Sequence, residues 1–326
     1  MIHRIKWGIL GPGNIAEKFA KAIIEENGSI YAVGSRNLDR AQTFAANHNI
    51  EKAYGCYADL MKDQDVDVIY ISTPHSHHYK YIMECLHQGK HVLCEKAITI
   101  NGDQLRDIAR LAEQKDLVVA EAMTIYHMPL LHKLRNIITS GQIGSLKLIQ
   151  VSFGSAKEDD DSNRFFHKEL AGGALFDIGS YALSFSRFFL SSSPDDIQTT
   201  VKKFRTDVDE QSGIILKNQD DEMAVISLAF RAKMPKRGII SGENGFITVE
   251  NFPRATTATI QYLDGQTEVV EAGTTSKGLV YEVEAMNHYI SNGFQAETLP
   301  LSMDVLNIMD EVRKQWGIHY PFPYEE

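Results

Sequence analysis

The chain has 326 residues, too long for one small module at roughly 100–200 residues per domain, so it reads as two domains. Hydrophobic residues make up 43% and charged residues 23%, an ordinary balance for a folded globular protein, and the net charge of −10 disfavours a nucleic-acid-binding surface. Three cysteines (Cys56, Cys85, Cys94) are too few and too irregularly spaced for a disulfide framework or a zinc site, no apolar run approaches 18 residues, and Met1-Ile-His-Arg leads into a strand-like stretch rather than a signal peptide. No membrane association is expected, and the expected compartment is the cytoplasm.

In chain order, short apolar runs first alternate with helix-period segments. Ile5–Leu10, Ile30–Val33, Val66–Ser72, His91–Cys94 and Leu117–Ala120 predict buried strands. Asn14–Glu26, Leu38–His48, His77–Gln88 and Gly102–Lys115 predict the helices between them. That alternation implies right-handed crossovers and a parallel sheet covered on both faces. Near residue 125 the pattern changes. After a linking helix at about Met128–Ser140, strands are predicted at Leu146–Phe153, Ile197–Arg205, Gly213–Lys217, Met223–Phe230, Phe246–Glu250, Thr259–Tyr262 and Thr267–Glu271. Turns such as Asp264-Gly265 separate them, which predicts a mainly antiparallel sheet. Helices at about Ala174–Phe189, Lys277–Ser291 and Met303–Gln315 complete an α+β second domain. The expected boundaries are 1–124 and 125–326.

The first chemical signal is Gly11-Pro12-Gly13-Asn14-Ile15-Ala16, directly after a strand and opening a helix. Gly11 permits the tight turn, Gly13 lets a pyrophosphate approach the backbone, and Ala16 allows close helix–strand packing. Free N–H groups at the helix start favour phosphate. The first domain therefore reads as a Rossmann dinucleotide-binding unit. An NAD site would carry an acid at the end of the second strand, but this chain has Ser35-Arg36-Asn37. Ser35 can donate to a 2′-phosphate and Arg36 can pair with it, with Arg40 assisting, so NADP is favoured over NAD.

Two further segments sit at strand ends, where such sheets bind ligands. Ser72-Thr73-Pro74-His75-Ser76-His77-His78 carries three histidines but no matching acid or cysteine set, so no metal site is assigned. Cys94-Glu95-Lys96 ends in a lysine that can hydrogen-bond a substrate oxygen beside a nicotinamide. In the second domain Asp177 and Tyr181 stand four apart on a predicted helix, beside an apolar stripe of Leu175, Ile178, Ala182, Phe185 and Phe189. A carboxylate and a phenol held this way can form an acid/base pair; the bland alternative is a helix-start acid and a half-buried tyrosine.

The order of these motifs, with Glu121-Ala122 and Gly172-Gly-Ala-Leu-Phe-Asp-Ile-Gly-Ser-Tyr181, resembles the glucose–fructose oxidoreductase/inositol dehydrogenase (Gfo/Idh/MocA) family, and most of all its dimeric dihydrodiol dehydrogenase/D-xylose dehydrogenase branch. The resemblance implies oxidation of a secondary or anomeric hydroxyl of a sugar, polyol or diol, with Lys96 and Tyr181 as catalytic acid/base residues and Asp177 orienting the substrate. It implies cofactor contacts from Gly11, Pro12, Gly13, Asn14, Ile15, Ser35, Arg36, Arg40, Thr73, Pro74, His75, His78, Glu95 and Lys96. It also implies a homodimer formed through an open face of the C-terminal sheet. Two positions depart from the family pattern. Glu-Lys is usually followed by Pro, where this chain has Ala97, so a cis bond after Lys96 is in question. Tyr126 stands where an arginine is usual, which argues against arginine-mediated substrate recognition. The alternative to an enzyme is a dinucleotide-sensing regulator on the same fold.

Overall fold

The computed structural model describes residues 4–293 and 295–320, so the reading of Met1–His3 lies outside the described residues. The chain divides into two compact units. The first contains β1 (Lys6–Leu10), α1 (Asn14–Glu25), β2 (Ser29–Gly34), α2 (Leu38–His48), β3 (Lys52–Tyr54), α3 (Tyr57–Lys62), β4 (Val68–Ile71), α4 (His78–His87), β5 (His91–Glu95), α5 (Gly102–Gln114) and β6 (Val119–Ala122). Its six strands are all parallel, in the order β3-β2-β1-β4-β5-β6. Strand order reverses between β1 and β4, and the C-terminal ends of those strands form the crevice where such sheets take ligands. The strands read as continuous apolar runs because helices cover both faces. α1 turns Ala16, Phe19, Ala20 and Ile23 into the core, where Phe19 stacks on Tyr70 with ring centroids 3.8 Å apart.

The chain continues through α6 (Pro129–Thr139), β7 (Leu146–Gly154), α7 (Ser180–Phe189), β8 (Asp196–Lys203), β9 (Asp209–Lys217), β10 (Met223–Ala229), β11 (Met234–Gly242), β12 (Gly245–Glu250), β13 (Thr257–Tyr262), β14 (Thr267–Glu271), α8 (Gly278–Asn292) and α9 (Leu299–Trp316). α8 does not belong with its sequence neighbours. Residues Ser276–Pro300 join the first unit, because Leu279, Val280, Val283 and Met286 pack into the same apolar cluster as Phe19 and Ile23. The second domain expected over 125–326 is thus interrupted.

The second unit is built on an eight-stranded sheet, ordered β14-β13-β12-β11-β7-β10-β9-β8. Every pairing is antiparallel except β7 with β10. Alternate residues such as Ile149, Ile214, Ile226, Ile240 and Ile247 are fully buried on one face. α7 lies close on that face: a Cβ at Gly238 would stand 2.4 Å from the Phe185 ring, so only glycine fits there. The opposite face carries a lateral row, Gln198, Ile215, Val225, Gln150, Ile239 and Thr248, in register across six strands. Within it Ile215 is 39% and Val225 38% exposed, unusual for apolar residues at the centre of a sheet.

Candidate active site

At the end of β1, Gly11 takes φ +95°, a conformation that favours glycine, and its N–H donates to the Gly34 carbonyl at 3.1 Å. Gly13 caps α1 without any side-chain hydrogen bond, and nothing lies within 4 Å of where its Cβ would be. Asn14 and Ile15 open the helix, whose first N–H groups are left for a ligand. Nearby, the Thr73 hydroxyl oxygen is buried without a hydrogen-bond partner among the described residues. An open glycine crest, an uncapped helix start and an orphaned hydroxyl together fit a dinucleotide phosphate.

At the end of β2, Ser35 is buried and its hydroxyl accepts the Asn37 N–H at 3.2 Å. Asn37 in turn caps α2 by accepting from the Arg40 N–H. Arg36 is exposed and has no ion-pair partner among the described residues, whereas the Arg40 guanidinium donates to the Pro12 carbonyl at 3.3 Å. Arg40 therefore ties the glycine turn to α2.

The three histidines after β4 take different positions. His75 Nε2 lies 3.0 Å from the Lys96 carbonyl oxygen. His78 is fully buried, with Nδ1 3.0 Å from the Ala97 oxygen and Nε2 2.8 Å from the Thr73 oxygen. Burial holds its pKa below the usual histidine value. Its ring thus ties together the backbone of the two segments, Thr73 after β4 and Ala97 after β5, that were expected to meet the cofactor. His77 stacks on Tyr81 instead, and Pro74 is exposed.

Lys96 follows β5 directly, and the Lys96–Ala97 peptide bond is cis. Three groups hold the backbone around it: His75 at the Lys96 carbonyl, His78 at the Ala97 carbonyl, and the buried Glu121 carboxylate, which accepts the Ile98 N–H at 3.0 Å. Glu95 accepts a short hydrogen bond from the Tyr70 hydroxyl, and burial together with that carboxylate raises the Tyr70 pKa. Both carboxylates brace strand ends; Glu121 stood out in the sequence as part of the Glu121-Ala122 motif, but its backbone partner Ile98 did not.

In the second unit, Leu175–Gly179 forms a π-helical turn that runs into α7. Its i→i+5 bonding places Asp177 and Tyr181 differently from the α-helical face assumed from their spacing. Both remain partly exposed, while the five stripe residues are buried as expected. The buried Asp209 carboxylate anchors the start of this turn by accepting the Leu175 N–H at 2.7 Å. Burial pushes Asp209 up to about 7. Lys157 was missed in the sequence. Its ammonium lies 4.0 Å from Asp177 Oδ2 and 3.7 Å above the Phe165 ring, balancing the carboxylate's charge. Tyr181 borders a cavity of about 550 Å³ with Phe153, Lys236, Asn251 and Arg254. Tyr126 is fully buried with its hydroxyl donating to Ser184 Oγ, so it packs the interior.

Residues 5–123 match the family model for the oxidoreductase family with an NAD-binding Rossmann fold, and residues 131–248 match the GFO/IDH/MocA C-terminal domain. The chain belongs to the Gfo/Idh/MocA oxidoreductases, whose cofactor is a nicotinamide dinucleotide. Among its relatives is a trans-1,2-dihydrobenzene-1,2-diol dehydrogenase from Xenopus tropicalis, 32% identical over 97% of this chain and 99% of that protein. The Homo sapiens protein of the same name is 29% identical over 97% and 98%. The fold is shared with a 3-ketoreductase from Actinomadura kijaniata in complex with NADP and TDP-benzene, at TM-score 0.85, 23% identity and coverage of 96% and 98%. It is also shared with a levoglucosan dehydrogenase in complex with NADH and levoglucosan, at TM-score 0.88, 16% identity and coverage of 98% and 100%.

Proposed function

We propose that this oxidoreductase prefers NADP and acts on a secondary or anomeric hydroxyl of a sugar, polyol or trans-dihydrodiol. The observation that carries the catalytic part is the bracing of Lys96. A lysine at a strand end is ordinarily a mobile surface charge, yet here its backbone is gripped by His75, His78 and Glu121. That is the support a side chain needs when it must meet one atom reproducibly.

When bound, the nicotinamide supplies the hydride chemistry. Lys96 and Tyr181 hydrogen-bond the reacting oxygen, and the proton leaves the hydroxyl to one of them during oxidation or returns from it during reduction. Asp177 accepts a hydrogen bond from a neighbouring substrate hydroxyl, and Lys157 offsets its negative charge. Gly11, Pro12, Gly13, Asn14 and Ile15 hold the pyrophosphate, and Thr73 supplies a hydroxyl. Ser35 and Arg36 meet the 2′-phosphate, whereas Pro74, His75 and Glu95 shape the wall of the site.

The same reading includes a homodimer that buries the open sheet face around Ile215, Val225 and Ile239, since two-fold pairing hides such a surface in both copies. It also includes a reducing compartment, the cytoplasm, in keeping with three free thiols of which Cys56 is exposed. The test is a panel of aldoses, polyols and trans-dihydrodiols offered with NADP and with NAD, following nicotinamide reduction. Turnover with at least one of them, faster with NADP, is expected. Tight NADP binding with no turnover of any member points to the sensing regulator instead.

A further inference from the structure

Around Arg36 stands an aromatic cluster that has no part in the chemistry proposed above. Where β2 ends, Tyr57 stands against the backbone: a Cβ on Gly34 would lie 3.5 Å from its ring, one residue before Ser35. Tyr57 meets Tyr81 edge-on with centroids 5.1 Å apart, and Tyr81 stacks on His77 at 6.1 Å and 19°. The charge of Arg36 acts on both His77 and Tyr81. Two tyrosines, an imidazole and an arginine thus gather at the one strand end where the adenosine half of a dinucleotide is distinguished.

We propose that His77 is a second reader of the ribose 2′-phosphate beside Arg36, and that its protonation strengthens the preference for NADP over NAD as pH falls. This rests on the NADP reading given above. The groups acting on His77 are Arg36 from the loop after β2 and His78, Lys80 and Tyr81 from α4, with Ser76 Oγ 3.0 Å from its Nδ1; Tyr57 from α3 reaches it only through Tyr81. Lys80 also pairs with Glu84 at 3.9 Å. Burial, Arg36 and Lys80 hold the free imidazole below its ordinary pKa, which disfavours its charged form. A phosphate dianion reverses the sign of the local field, and the ring gains a proton and a charge-assisted hydrogen bond. NAD, which lacks that phosphate, brings no such change.

The experiment is calorimetric titration of wild type and His77→Gln with NADP and with NAD, from pH 8 to pH 6.5, in two buffers of different ionisation enthalpy. Wild type is expected to take up more protons with NADP than with NAD, and more than His77→Gln does. Its NADP-to-NAD affinity ratio should rise on acidification by about tenfold more than that of the variant, the scale of one hydrogen bond to a charged group. The phosphate's own titration, with a second pKa of about 6, is common to both proteins and cancels in that difference. Matching NAD affinities in the two proteins show an intact fold. An NADP preference that is retained with equal proton uptake in wild type and variant overturns the role of His77 and leaves that of Arg36 standing. A wild type that takes up no more protons with NADP than with NAD overturns it without the variant. A wild type that prefers NAD overturns both readings.

Discussion

Replacing Thr73 by valine separates a hydroxyl kept for a ligand from one kept for the fold. The Thr73 Oγ1 is buried and has no partner among the described residues. Leaving a buried hydroxyl unsatisfied costs about 1–3 kcal/mol. Valine keeps the branched shape and puts a methyl where the oxygen was, and the existing methyl already stands 3.4 Å from the Cβ position of Gly11. Thr73→Val should therefore stabilise the cofactor-free protein by about 1 kcal/mol, the low end of that range. Dinucleotide binding should move the other way. The lost hydrogen bond is worth about 0.5–1.5 kcal/mol net, a two- to twelvefold rise in Kd. Urea denaturation of the cofactor-free proteins gives the first quantity, and fluorescence titration with NADP gives the second. A variant that is less stable than wild type and binds NADP equally well would refute the reasoning, because the hydroxyl would then serve the fold.

Arg36→Ala should weaken NADP binding by tenfold or more and change NAD binding by less than about threefold, since only NADP carries the phosphate that the guanidinium is proposed to meet; equal losses in titrations with both cofactors would contradict it. Asp209 makes stability depend on pH, because its folded pKa of about 7 lies above the ordinary 3.8. Between those values the folded state keeps a proton that the unfolded state has released, so stability should fall as pH rises from about 4 to about 7 and then level off, at up to about 1.4 kcal/mol per unit. Asp209→Asn cannot ionise and should flatten that slope in urea titrations at several pH values; an unchanged slope would sink the assignment. If wild type is the proposed dimer, Val225→Lys, which places a charge in the middle of the open sheet face, should yield a monomer by light scattering at micromolar concentration. A monomeric wild type would remove the dimer proposal.

The parallel unit was legible because strands covered on both faces are continuous apolar runs and the helices between them keep a regular period. What escaped was short or polar. β3 is only Lys52–Tyr54. β11 begins Met234-Pro-Lys-Arg and shows no early alternation, yet it lies between β7 and β12. The apolar face of α8 was readable, but an amphipathic helix does not say which core it joins, and this one joins the first unit. At the candidate site, the glycine turn and Lys96 announced themselves through local context. Lys157 did not, and Glu121 and His77 stood in motifs that named no partner for them. Their roles come from residues 20, 23 and 41 positions away, namely Asp177, Ile98 and Arg36, and such meetings leave no mark in the spacing of a sequence.

Lys96 and Tyr181 are proposed to act on the proton of the reacting hydroxyl. That role is tested most directly by steady-state turnover of Lys96→Met, Tyr181→Phe and the double variant, with a substrate found by the panel and with NADP affinity measured alongside. Each single variant should lose about 10²–10⁴ in kcat, the usual size of a general acid–base contribution, and Tyr181→Phe should bind NADP almost as wild type does. The double variant should lose less than the product of the single losses, because the two groups share one step. Near-normal kcat in both single variants would contradict the account.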